Sequence, residues 1–68
     1  MRLLDLIKSS STCTYIHYPY TRDVLVEFLA FFEDVGEVAV RVELDLEEHS
    51  EVVEYVKEKC EEYVEEAL

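Results

Sequence analysis

Residues 37–44 read Glu-Val-Ala-Val-Arg-Val-Glu-Leu, an unbroken alternation. Val38, Val40, Val42 and Leu44 fall on one side, and Ala39, Arg41 and Glu43 on the other. A period of two belongs to a β-strand with one face buried. Such a strand needs neighbours and a covering layer, so the chain must build a sheet with a core on one face.

Residues 12–18 (Thr-Cys-Thr-Tyr-Ile-His-Tyr) supply a second strand, rich in β-branched and aromatic side chains and closed by Pro19. Alternation places Cys13, Tyr15 and His17 on one face and Thr14, Ile16 and Tyr18 on the other. Both faces are mixed, so the pattern does not select the buried one. Between the two strands, the sequence predicts a helix over residues 22–35. Thr21 is its N-cap, Asp23 lies in its first turn, and Gly36 is its stop. Its apolar set includes Val24, Leu25, Phe28, Leu29, Phe31 and Phe32. That is wider than the stripe of about 100° on an ordinary surface helix, so this segment must meet two surfaces. A last helix, capped by Asp45 or Ser50, is expected to run to Leu68. Its seam of Val53, Val56, Cys60, Tyr63 and Ala67 is spaced 3, 4, 3 and 4. Residues 1–11 read as an N-terminal arm or short helix, with Leu3, Leu6 and Ile7 on one side, followed by a single α/β domain over 12–68. The expected class is α+β, a small (α)βαβα two-layer domain. A strand–helix–strand unit would cross over right-handed if its strands pair in parallel. Two strands leave open edges, so the sheet is expected to be completed by a partner chain.

Charge narrows the function. The chain has 68 residues and a net charge of −11. Eleven carboxylates against two lysines in residues 43–68 account for −9 of that. A pI near 4.3 opposes direct binding to nucleic-acid phosphates or anionic membranes. No apolar run approaches the roughly 18 residues of a membrane helix. Half of the residues are hydrophobic, which argues against disorder. A core this small supplies only about 3–5 kcal/mol unless it is stapled. Cys13 and Cys60 can form at most one bridge. The chain reads as cytoplasmic, where thiols stay reduced, so oligomerisation, with itself or another protein, becomes the expected staple. The absence of Asn and Gln is compatible with a thermophile.

No constellation here reads as a reaction, and no cofactor or metal is expected. Cys13 and His17, four apart on one strand, lie roughly 13 Å from each other. They could meet only across a two-fold axis, and a thiol and an imidazole packing a sheet face is the plainer reading. Cys60 reads as a small buried hydrophobe and His49 as a solvated neighbour of the helix cap. Tyr15, Tyr18 and Tyr20 around Pro19 suit an interface more than base stacking, since no basic groove accompanies them. Glu51, Glu54, Glu58, Glu61, Glu62 and Glu65 form an acidic helical face. Its plain role is solvation. Its sharper role is mimicry of DNA by an inhibitor of a nucleic-acid enzyme, including a virus-encoded one. Val52, Val53, Val56, Cys60, Tyr63, Ala67, Phe28, Phe31 and Phe32 are the expected partner interface.

The passage from Tyr15 to Leu29 resembles the small dimerisation subunit of KEOPS, the archaeal and eukaryotic complex that makes threonylcarbamoyladenosine in tRNA. Tyr18-Pro19-Tyr20-Thr21-Arg22-Asp23 carries that family's aromatic-Pro turn and polar cap. Residues 40–50 are similar to its last strand running into its final helix. The resemblance implies a strand, a helix, a hairpin and a long C-terminal helix. This chain has room for only one strand after Gly36, and residues 50–60 lack the family's Arg and Asn-Ser docking pattern. The resemblance therefore implies a diverged, capping-type paralogue: a non-catalytic subunit in tRNA processing that pairs as a heterodimer with the small dimerisation subunit.

Overall fold

The computed structural model describes residues 2–19 and 23–66. Among these residues the order is α1 (Leu3–Ser9), β1 (Thr12–Pro19), β2 (Val24–Phe32), β3 (Gly36–Leu44), α2 (Leu46–Lys59) and β4 (Glu62–Glu65). The strands form one mixed sheet in the order β3-β2-β1-β4. The pairs β1–β2 and β2–β3 are antiparallel, and β1–β4 is parallel. The class is α+β, as expected from the alternating strand and the capped helix.

The middle segment corrects the sequence reading. Residues 24–32 are the second strand of the sheet and not a helix, and the expected cap Thr21 lies outside the described residues. Val24, Val26, Phe28, Ala30 and Phe32 point into the core, while Leu25, Glu27, Leu29 and Phe31 point away from it. The apolar set is wide because β2 is an inner strand, half-covered even on its far side. Such a strand is nearly continuously hydrophobic and satisfies a period of 3.6 as readily as a period of two. Val24, Val26, Phe28, Phe31 and Phe32 are β-formers, and ladders on both sides complete the choice. Gly36 does not stop a helix. It closes the β2–β3 hairpin at φ +85°, a conformation natural to glycine.

The end of the chain also differs. Asp45, not Ser50, caps α2, its carboxylate accepting from the Glu48 N–H at 2.8 Å. Ser50 instead donates back to the Leu46 carbonyl. The helix stops at Lys59 rather than running to Leu68, and Cys60 is already extended at φ −81°, ψ 146°. Glu61 N–H then donates to the Cys13 carbonyl and Glu66 N–H to the His17 carbonyl, clamping β4 along β1. Cys60 and Tyr63 thus leave the helical seam. Cys60 is joined to Cys13 in a disulfide, with the two Cα atoms 4.9 Å apart, within the range such a bridge needs. The expectation of reduced thiols is corrected: the fold brings the two sulfurs together, which compartment arguments could not address.

Both helices contribute to a single core on one side of the sheet, where Ile7 of α1 and Val52 and Val56 of α2 meet Tyr15, Val26 and Phe28. The side chains on the other side of the sheet have no covering layer among the described residues.

Candidate interaction surface

The covered and uncovered faces of the sheet hold different chemistry. On the covered face, β1 and β4 stack Tyr15 on Tyr63, with ring centres 5.7 Å apart and planes 8° from parallel. The Tyr15 hydroxyl and His49 Nδ1 of α2 are hydrogen-bonded at 3.1 Å. The His49 ring lies against His17, centre to centre 4.0 Å. Tyr63 donates to Glu65 at 2.9 Å, and the Lys57 ammonium sits 5.3 Å from the centre of the Tyr63 ring. Burial lowers the His49 pKa, and the neighbouring His17 lowers it further against a weaker opposite pull from Glu65. Burial and then the Tyr63 neighbour raise the Tyr15 pKa. Burial, with help from Glu65, pushes Tyr63 up to about 12. The result is a packed layer of rings.

His49 is therefore not a solvated cap neighbour; it is 9% exposed. Cys13 and His17 do not form a thiolate–imidazole pair, because Cys13 is bonded to Cys60. Among the described residues no group of three or more His, Cys, Asp or Glu side chains could hold a metal ion.

Most of the expected interface residues have been used internally. Val52, Val56, Phe28 and Phe32 are buried in the core of the chain itself, with Val53, Cys60 and Tyr63 half-buried around it. Ala67 lies outside the described residues. Of the described members of that set, Phe31 alone points to the uncovered face, where it is 48% exposed. There it joins Leu25 and Leu29 of β2, Ile16 and Tyr18 of β1, Ala39 of β3 and Val64 of β4. The register confirms one continuous patch: Ile16 lies beside Val64, Thr14 beside Leu29, Leu29 beside Ala39, and Tyr18 beside Leu25. Among the described residues only Glu27 and Arg41 bring charge to the middle of this face, and they form an ion pair at 3.7 Å. Glu37, Glu43 and Glu62 lie at its margins.

Sequence reasoning missed Leu25, Leu29 and Val64 because it placed them on helices. The signal was present in β1, where Thr14, Ile16 and Tyr18 already share a face. The acidic ladder is also divided. Glu51, Glu54 and Glu58 are exposed on α2, whereas Glu61 lies in the link and Glu62 and Glu65 on β4. Helical spacing of carboxylates therefore ends at Glu58. Among the described residues no helix is long and apolar enough to cross a membrane. No protein-family model matches this chain, and neither a curated protein nor a solved structure matches it.

Proposed function

We propose that this chain is a non-catalytic accessory subunit of a protein complex, docking through the uncovered face of its sheet. The observation that carries the reading is that face, with Ile16, Leu25, Leu29, Phe31 and Val64 contiguous and no layer over them among the described residues. Contiguous apolar surface of this kind marks interaction sites on small proteins. The acidic margin selects a partner surface with an apolar centre and a rim of Lys and Arg. The sequence resemblance makes the small dimerisation subunit of KEOPS the first partner to try, and the subunit's work would then be structural support of tRNA modification. That assignment rests on the turn at Tyr18-Pro19 and on the β3-to-α2 passage. The segment after the turn is strand β2 here, so the fold adds no weight to it.

The test is co-expression with the KEOPS dimerisation subunit, followed by mass measurement of the purified complex, with Leu29→Asp as the interface variant. A complex with the wild type that is lost with Leu29→Asp supports the reading. Failure to associate removes KEOPS as the complex, and an unaffected Leu29→Asp complex removes the face.

A further inference from the structure

We infer that the outer edge of β3 pairs with β3 of a second copy, antiparallel and centred on Ala39, joining two sheets into one. β3 is a nine-residue strand bonded on one side only, to β2. Proteins usually defend such an edge with charged side chains, especially Lys, with Pro, with a bulge or with short length. The charges of β3 are of mixed sign, Glu37 and Glu43 with Arg41 between them, and can pair rather than repel. β3 has no Pro and no Lys, and it pairs with β2 without a break over its whole length. The other edge, β4, is only four residues long and carries Glu62 and Glu65, which suits an edge meant to stay single.

Charge selects both the occupant and the register. In a two-fold antiparallel pair, residues facing each other lie on the same side of the sheet, so each possible register centres on one residue of β3. Centring on Val40 sets Glu37 against Glu43, and centring on Arg41 sets Arg41 against itself. Like charges directly opposite destabilise a sheet. Centring on Val38 or on Val42 leaves only a short ladder, although Val42 would also set Arg41 against Glu43. Centring on Ala39 sets Glu37 opposite the second copy's Arg41, twice, and Val38 opposite the second copy's Val40, twice. Opposite charges then meet on the uncovered face, and valines meet on the covered one. Arg41 is free for this role. Its side chain is 64% exposed and holds Glu27 only through Nε at 3.7 Å, so the rest of the guanidinium fork can take a second carboxylate.

The covered face agrees. Val38, Val40 and Val42 point toward the helices yet stay only half-buried. A groove lined by Leu6, Phe32, Val35 and Val38 opens at one end of β3, and another, lined by Leu3, Leu4, Val42 and Leu44, opens at the other. Both grooves lie between α1 and β3 and leave these valines partly open, and the second copy's valines would extend the core there. This pairing is independent of docking through the sheet face, and it would place two such faces side by side.

Sedimentation at sub-millimolar concentration tests it. The wild type should be a dimer. Glu37→Arg alone and Arg41→Glu alone should each weaken dimerisation about tenfold or more, with circular dichroism confirming the fold. Mixed together, the two variants restore both charge pairs and should form a heterodimer. Ala39→Cys, which does not depend on those charges, should cross-link to itself under mild oxidation, whereas Glu43→Cys should not. A monomeric wild type, a mixture that stays monomeric, or equal cross-linking at Ala39→Cys and Glu43→Cys would overturn the inference. None of these results bears on the Leu29→Asp test.

Discussion

Replacing Cys13 and Cys60 together by alanine should remove about half of the stability of this domain. The bridge spans a sequence separation of 47 residues. In the chain-entropy description, closing a loop of that size removes about 14 cal/mol/K from the unfolded ensemble, or about 4 kcal/mol at 25 °C. Cys13 is also 5% exposed and packed in the core, so deleting its sulfur adds a smaller packing loss. A hydrophobic core in a chain of this length contributes only about 3–5 kcal/mol net. The two quantities are comparable and add in the oxidised protein, so the double variant should keep only about half of its stability, about 3–5 kcal/mol, and stay folded without denaturant. Urea denaturation followed by far-ultraviolet circular dichroism measures the difference. The urea midpoint of the variant should fall to about half that of the oxidised wild type. Wild type treated with a reductant should follow the variant. A thiol assay on the untreated, denatured wild type should find no reactive thiols. A variant within about 1 kcal/mol of the wild type would refute the reasoning, and so would two free thiols in the untreated protein.

Two further outcomes can be measured in the same way. His49 has its pKa lowered from 6.5 by burial and by His17, so the unfolded chain binds the proton more readily. The associated stability is complete above about pH 6.5 and is lost as pH falls below that value toward the lowered pKa. Thermal unfolding of the wild type should therefore weaken from about pH 7 to pH 5 more than that of His49→Gln; parallel pH profiles would remove the assignment. Asp45→Ala leaves the Glu48 N–H without its 2.8 Å acceptor and should cost about 1 kcal/mol in urea denaturation, while Ser50→Ala, which removes no cap, should cost clearly less.

The parts of the fold that could be read in advance were those where only one period fits. β3 alternates Val with charged or small residues, so no helix accommodates it. α2 begins at a carboxylate that accepts from the third residue along, and its buried His49, Val52 and Val56 keep helical spacing. β2 was hidden because its outward residues Leu25, Leu29 and Phe31 are themselves apolar. Two periods then fit, and only the ladders to β1 and β3 choose between them. β4 was hidden because Cys60 and Tyr63 continue the spacing of Val53 and Val56, although the backbone turns extended at Cys60. That turn depends on Cys13, which is distant in sequence. The interaction surface suffered from the same two errors: with β2 and β4 read as helix, Leu29 and Val64 had no common face. The Tyr15–His49 contact joins residues 34 apart, a distance that local pattern does not encode.

The parallel pairing of β1 with β4 sets an order of assembly. β1, β2 and β3 form a meander whose strands follow one another directly in sequence, so each closes a short loop at small entropic expense. β4 must return past both hairpins and a helix to reach β1, with Thr14 alongside Glu62. Before the Cys13–Cys60 bridge forms, a four-residue strand cannot offset that search alone, so it should dock only on a sheet and helix already in place. The three-stranded meander with α2 should therefore form first, with β4 as the latch that closes after it. Local opening in the native state should run in reverse. Amides of β4 should exchange with solvent well before those of β2, which makes the β1 edge beneath the latch the first backbone this domain exposes.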